Sequence, residues 1–416
     1  MPWRRLTFRT RQDGQLDPLP EWRPVQQIQI DIDAYPGAQS FDLTSGDRVW
    51  IEVFRRGRAI AVIDGRVENN ALPASVIQRI NELKQIELPS RDLLSDELLS
   101  KASVVVATIC EDPAELVRTV ESLLMLDYPD FEIIVVDNRH SADRRPLPSF
   151  PGGSKVHVFW EPRRGVSAAR NLGIAKSTGD FVAFTDDDAV VDPNWLRAMG
   201  STFAIESDVE AIGGLVLPLE LETAPQLWFE EFYGGFSPSL RFEKMSVELM
   251  RGVDEMFPYA IGVFGAGCNM AFRRSALTRI GGFDIYIGGG TLARAGEDVA
   301  LALELVVTGG TYAYEPAALV RHSHRRTEAE FLKQAFNYGT GLTALFSAMI
   351  VRDPRHLVSI VRRVPYGFRH LTRSPEARSP SAAPSYPRET LAYQILGMLY
   401  GPLAYARSVV SMKWFS

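Results

Sequence analysis

Cysteine is nearly absent from this chain: 416 residues hold two, Cys110 and Cys268, far apart and each in an apolar or glycine-rich setting. That excludes a disulfide scaffold and a multi-cysteine metal centre, and both thiols are expected to be reduced. Histidine is scarce too, with six in all. Positive charge is not in excess, because 45 Lys and Arg face 51 Asp and Glu for a net −6 and a pI near 5.7. Such a balance argues against a general nucleic-acid binder. No apolar run reaches the roughly 18 residues of a membrane span; the nearest, residues 391–406, is uncharged but holds Gly397, Gly401 and Pro402. The opening Met1-Pro2-Trp3-Arg4-Arg5 lacks the apolar core of a secretory signal, so a cytoplasmic protein is expected. What the chain does have is apolar bulk, 46% of residues, enough for a sizeable core and two or three domains.

Residues 1–95 read as a β-rich accessory domain. Apolar and polar residues alternate over 25–32 and 48–54, Arg55-Arg56-Gly57-Arg58 reads as a hairpin turn into the apolar run 59–63, and Asp64-Gly65 is a second turn signal. A helix is expected over 74–84. Nothing in this part looks catalytic, and a packing or binding role is the default.

A different pattern starts at residue 102. The β-branched run 103–108 is too continuous for a one-sided sheet and suits a strand buried on both faces. Glu111-Asp112-Pro113 opens a helix carrying Leu116, Val117, Val120, Leu123 and Leu124, and Tyr128-Pro129 ends it. Residues 131–136 form a second strand that stops at Asp137-Asn138. This βαβ unit predicts a parallel sheet, continued by strands at 156–160 and 181–185 with a helix over 166–176 between them. Ligands gather beyond the carboxyl ends of such strands, where Thr108, Asp137 and Asp186 all fall. Asp186-Asp187-Asp188 is the sharpest signal. Three adjacent carboxylates repel, and a hard divalent cation relieves that repulsion. A lone triplet reads equally as a solvated turn; three polar strand ends at one edge favour the cation.

Two later segments carry chemistry. Gly296-Glu297-Asp298 precedes the apolar helix 299–306 and follows a glycine-rich stretch (Gly288-Gly289-Gly290) suited to a substrate-facing loop, although acids at a helix start also cap it. Arg321-His322-Ser323-His324-Arg325-Arg326 follows the strand 317–320, and two His at i, i+2 share a face on an extended chain. A solvated basic loop is the plain alternative there.

Taken with Val135-Val136-Asp137-Asn138, the run 165–173 (Gly-Val-Ser-Ala-Ala-Arg-Asn-Leu-Gly), Gly267-Cys268-Asn269-Met270-Ala271-Phe272-Arg273-Arg274 and Gly281-Gly282-Phe283-Asp284, these motifs make residues 103–325 resemble a family 2 glycosyltransferase. The resemblance implies a GT-A catalytic domain over 100–340, an α/β Rossmann-like and mostly parallel sheet with helices on both faces. It implies a nucleoside-diphosphate sugar as donor, a hydroxyl acceptor and a Mn²⁺ or Mg²⁺ cofactor. By the same resemblance Thr108, Glu111 and Asp137 contact the nucleoside, with a turn or cap role as the alternative for Asp137. Arg170, Asp186, Asp187 and Arg325 serve the nucleotide sugar, Arg170 by lying near the diphosphate or by pairing with an acid of the Asp triplet, and Asp188 and His322 hold the metal. Gly267 and Asn269 line the donor sugar and acceptor. Asp298 is the expected general base of an inverting displacement, with Glu297 beside it supporting the acceptor or capping the helix. The aromatic region 228–259 (Trp228, Phe229, Phe232, Tyr233, Phe236, Phe257) is where acceptor specificity is expected. A nucleotidyltransferase and a non-catalytic carbohydrate-binding protein are the rival readings; the first lacks a phosphate loop after its first strand, and the second gives no reason for three polar strand ends.

The resemblance fades after about residue 345. Residues 341–416 form an apolar helical tail in which 352–378 carry seven Arg against two acids, ahead of a Pro/Ser-rich linker (374–387). Arg clusters flanked by apolar helices fit peripheral contact with anionic lipid at the inner face of the cell membrane, and a lipid-linked acceptor. Packing on the catalytic domain or on another copy in an oligomer fits them as well.

Overall fold

The computed structural model describes residues 22–35, 43–85, 91–143, 145–233, 235, 239–371, 387 and 389–415. Residues 1–21, Phe236 and the linker 374–387, apart from residue 387, lie outside the described residues, as do the side chains of Phe232 and Tyr233.

The chain opens with a three-stranded sheet, β1 (Gln26–Asp31), β2 (Arg48–Arg55) and β3 (Arg58–Arg66), backed by α1 (Ala74–Leu83). β1 runs parallel to β2 and β3 antiparallel to it. The expected hairpin turn is present: Arg56 and Gly57 both take positive φ, +50° and +72°, as a two-residue primed turn requires. The second turn signal is corrected. Asp64 and Gly65 lie inside β3, opposite Trp50 and Val49. Asp64 is there as a charge partner, accepting Arg48 Nε at 2.7 Å. Gly65 makes room for α1, since a Cβ would sit 3.0 Å from Val76.

The main unit follows as β4 (Ala102–Thr108), α2 (Pro113–Leu124), β5 (Phe131–Asp137), β6 (Val156–Trp160), α3 (Val166–Lys176), β7 (Phe181–Asp186), β8 (Ala189–Val191), α4 (Trp195–Ile205), β9 (Val209–Pro218), α5 (Ala224–Tyr233), β10 (Glu243–Met245), β11 (Met270–Arg273), α6 (Arg274–Ile280), α7 (Glu297–Val307) and β12 (Thr311–His322). Its strands form one sheet in the order β10-β12-β9-β11-β7-β4-β5-β6, with β8 added on β12. β4, β5, β6, β7, β9 and β12 share one direction, and β8, β10 and β11 oppose it. The expected α/β class with a mostly parallel sheet is borne out.

Burial on both faces explains the continuous apolar strands. Val104 and Val106 of β4 join the cluster under α2 and α4, while Val105 joins the opposite one with α6 and α7. Asp112 caps α2 by accepting from Ala114 N, and Pro113 takes the first turn, where its missing N–H costs nothing. Gly173 lets α3 lie on the sheet, because a Cβ there would meet Val105 at 2.4 Å.

The N-terminal sheet docks on the main one. Glu52 of β2, 1% exposed, takes both terminal nitrogens of Arg321 at 3.0 and 2.6 Å. Gln27 donates to Pro218 O at 3.0 Å, and Ala59 packs with Leu215, Leu217 and Leu319. Three helices close the chain: α8 (Glu328–Arg352), α9 (Arg355–Leu371) and α10 (Thr390–Phe415). α8 and α10 approach through glycines. A Cβ on Gly339 would stand 2.0 Å from Gln394 O, and one on Gly397 2.1 Å from Phe336 O. Among the described residues no helix is long and apolar enough to cross a membrane.

Candidate active site

The carboxyl edge of the parallel strands collects the polar groups. In register, Thr108 stands beside Asp137 and Asp137 beside Trp160, while Ala107 faces Asp186. The Asp triplet is not extended throughout: Asp186 ends β7, and Asp187 with Asp188 makes the turn into β8. That turn separates the three side chains. Asp187 turns inward, where Thr108 Oγ1 donates to it. Burial, with its two Asp neighbours adding, pushes Asp187 up to about 7 despite that bond.

His322 arrives from the far side of the sheet. It ends β12, where antiparallel pairing sets it opposite Ala189 of β8. Its Nε2 then lies 3.2 Å from Asp188 Oδ1 and 3.9 Å from Asp186 Oδ2. Burial would lower the imidazole and raise the carboxyl. Their mutual attraction wins for both, holding His322 above its ordinary value and Asp188 below its own, with Arg325 helping the latter. His324 takes another course: its Nε2 bonds Glu230 of α5 at 2.6 Å, and its ring lies on Phe229. Of the two histidines, His322 alone faces the aspartates.

A thiol lies against the cluster. The Cys268 thiol, an Asp186 carboxylate oxygen and a His322 ring nitrogen all lie within 4.8 Å of one another. The sequence reading passed over Cys268 as a reduced, buried thiol, and its place inside the Gly267-Cys268-Asn269 motif was the available signal. Burial pushes the Cys268 thiol well above its ordinary value, so it stays a neutral thiol beside the ion. The carboxylates of Asp186 and Asp188 with the His322 imidazole suit Mn²⁺ and similar divalent cations and fit the expected metal.

Arg170 ties this cluster to the second acidic pair. It is 2% exposed and donates Nη2 to Asp186 at 2.8 Å and Nη1 to Glu297 at 2.9 Å, with a further bond to Gly267 O at 3.2 Å. Glu297 and Asp298 open α7 behind Gly296, whose φ of +91° makes the sharp entry. Asp298 accepts Gly267 N at 2.7 Å and Val299 N at 2.8 Å. Burial and the Asp298 charge raise Glu297 well above its ordinary value, although Arg170 opposes them. Gly267 gives this cluster its close approach, since a Cβ there would press on the Arg170 guanidinium at 3.0 Å and on Asp298 at 3.2 Å.

Two assignments look different in three dimensions. Asn269 is corrected: it is fully buried and spent on the sheet, donating Nδ2 to Leu215 O and Ala318 O and accepting Trp195 Nε1, each at 2.8 Å. No amide atom is left for a sugar. Asp137 sits at the strand end, but its carboxylate is clasped by Arg139 through Nε at 2.9 Å and Nη2 at 2.8 Å. Arg139 was missed, lying two residues past the strand end in a stretch that carries no motif. Glu111 and Arg325 are exposed at the rim. Of the aromatic region, Phe229 and Phe257 are core, with Phe229 packed on Phe331.

The chain matches the model of "Glycosyl transferase family 2" over residues 103–218 and that of "Glycosyl transferase family group 2" over 181–410, which is 230 of 416 residues. It is 31% identical to a glucosyl-dolichyl phosphate glucuronosyltransferase of Haloferax volcanii, over 56% of this chain and 72% of that one. A pre-mycofactocin glycosyltransferase of Mycobacterium tuberculosis is 29% identical over 62% of this chain and 49% of its own length. Among solved structures, a mannosyltransferase from Pyrobaculum calidifontis in complex with GDP-Man and Mn²⁺ is similar at a TM-score of 0.46 and 15% identity, covering 78% of this chain and 94% of that one. The nucleotidyltransferase and binding-protein readings fall with these matches, and the chain belongs to the family 2 glycosyltransferases, enzymes that transfer sugars.

Proposed function

We propose that the protein is a metal-dependent, inverting glycosyltransferase that moves a sugar from a nucleoside-diphosphate sugar to a hydroxyl acceptor. The observation that carries this reading is the meeting of Asp186, Asp188, Cys268 and His322 at the strand edge that also holds Thr108 and Asp137. Thr108, Glu111 and Asp137 hold the nucleoside, Asp137 together with the guanidinium of Arg139. Asp188 and His322 hold the cation, Mn²⁺ or Mg²⁺, with Asp186 and Asp187 shaping the nucleotide-sugar side. When bound, the cation supplies Lewis-acid stabilisation of the charge that builds on the leaving diphosphate. Arg325, exposed at the rim, grips that diphosphate, and the Gly267 backbone borders the sugar.

On this reading the acceptor hydroxyl loses its proton to Asp298 as its oxygen bonds to the anomeric carbon. The bond from that carbon to the diphosphate oxygen breaks on the opposite face, and the nucleoside diphosphate leaves with the electron pair. The geometry favours a second assignment at the same pair, in which Glu297 takes the proton. Asp298 already accepts two backbone N–H groups, while Glu297 is the acid whose proton affinity is raised.

The pathway is assembly of a surface polysaccharide, a glycolipid or a glycosylated small product. The acceptor is lipid-linked, in keeping with the dolichyl phosphate named for the Haloferax relative, and the enzyme works at the inner face of the cell membrane. The three units at 1–95, 100–340 and 341–416 serve as accessory domain, catalytic domain and membrane-apposed tail.

The test is thermal stabilisation by UDP, GDP, dTDP and CDP, each with and without Mn²⁺. A ligand bound only by the native state raises the melting temperature by mass action. A Mn²⁺-dependent rise with one nucleotide, lost in Asp188→Ala, supports the reading and names the donor base. No rise with any nucleotide under any metal condition sinks it.

A further inference from the structure

α9 presents three faces to three environments. One meets the protein: His356 Nδ1 bonds Tyr259 OH at 2.8 Å, Arg363 donates to Glu255 O at 2.8 Å, and Ile360 packs on the core. Turning at 3.6 residues per turn, the next face is Leu357, Val358, Val361 and Val364, exposed by 49–58%. Arg355 and Arg362 border it, both exposed, with Arg355 also resting on Asp353 just ahead of the helix at 2.7 Å. The helix holds four Arg and no acid, in a chain of net charge −6.

α10 repeats the exposure. Its inner side lies on α8 through Gly397 and Gly401, and outward it shows Leu396, Leu399, Leu403 and Val410, with Leu399 at 74%. A helix apolar all round is normally enclosed, and this one is enclosed on one side. Neither helix can cross a bilayer.

We propose that the exposed faces of α9 and α10 dock on an anionic phospholipid bilayer. α9 lies in the interface plane, with Leu357, Val358, Val361 and Val364 among the acyl chains and Arg355 and Arg362 on lipid phosphates. The pairing of an apolar stripe with flanking guanidinium groups is what such a surface selects. A second copy meeting this face by a two-fold contact would set its own Arg355 and Arg362 against these, like charge against like. This inference rests on the membrane-facing part of the functional reading and supplies the surface that it needs.

The experiment is co-sedimentation of the full chain with phosphatidylcholine vesicles, with or without phosphatidylglycerol. Binding is expected to the anionic vesicles, weakened by salt. Val361→Asp with Val364→Asp should cut it roughly tenfold or more, and Leu399→Glu should also reduce it. Arg355→Glu with Arg362→Glu should remove the preference for anionic lipid. All these positions are exposed, so melting temperature and the Mn²⁺-dependent nucleotide shift should stay as in wild type. Loss of vesicle binding alone then reports on this face, whereas absence of the nucleotide shift in wild type would count against the transferase reading. A wild type that stays in the supernatant with every vesicle overturns the inference. So does a valine pair variant that sediments like wild type, or a solution dimer that this variant splits into monomers.

Discussion

The two halves of the main sheet contribute to the site in different ways. In the parallel half, β7-β4-β5-β6, each polar group sits at a strand end within one continuous stretch of chain, and neighbouring ends line up by register alone. In the mixed half, the turn entering β11 carries Gly267 and Cys268 and the end of β12 carries His322, all from far along the sequence, and the antiparallel pairing of β11 with β7 and of β12 with β8 brings them in. The comparison teaches that local strand ends can make a nucleotide pocket, but closing a cation site needs strands that return.

Predictions can break or sharpen that contrast. The largest effect is expected at the acidic pair of α7. Removing the true base should lower kcat/KM by between a hundredfold and about ten-thousandfold. Steady-state rates of Asp298→Asn and Glu297→Gln decide which carries it, the other costing far less. Next come Asp188→Ala and His322→Ala, one from each half. Each should cost on the order of a hundredfold or more in transfer and abolish the Mn²⁺-dependent nucleotide shift. Unequal losses of nucleotide binding would show that the halves do not share one site.

Stability effects follow. Asn269→Leu strands the Trp195 N–H and two carbonyls in the core, so urea unfolding should show a loss of about 3 kcal/mol or more. The folded fraction should bind the nucleotide sugar as well as wild type does, and a weakening for the nucleotide sugar but not for the free nucleotide would restore Asn269 to the sugar site. Glu52→Ala, which leaves Arg321 without its buried partner, should cost about 3 kcal/mol. Because Arg321 precedes His322, it should also weaken cation binding, which isothermal titration with Mn²⁺ would detect.

The smallest effect concerns pH. Glu297 is raised from the ordinary 4.5 to about 7, so the folded state holds its proton more tightly than the unfolded one. Its contribution to stability is present at low pH and lost as pH rises through that window. Glu297→Gln should therefore flatten the fall in melting temperature over this range. An unchanged slope would deny the burial of that charge.

Much of the parallel half was legible because a doubly buried strand leaves a continuous β-branched run, and a βαβ unit leaves a fixed order of periods. The misreadings have a common cause. Asp64-Gly65 has turn composition yet is held in a strand by Arg48 and α1. Asn269 has a ligand's chemistry yet is saturated by Trp195 and two backbone carbonyls. Composition names what a side chain can do, and its neighbours decide what it does.

By itself the sequence determined the α/β class, the place of the strand ends and the family, since these follow from periodicity and from short motifs in a fixed order. Only the tertiary structure decided that His324 turns away to Glu230, that Cys268 lies beside the aspartates, and that Arg170 bridges Asp186 to Glu297. Those outcomes depend on pairing between strands far apart in sequence, and a local pattern carries no record of which distant partner will fill the space beside it.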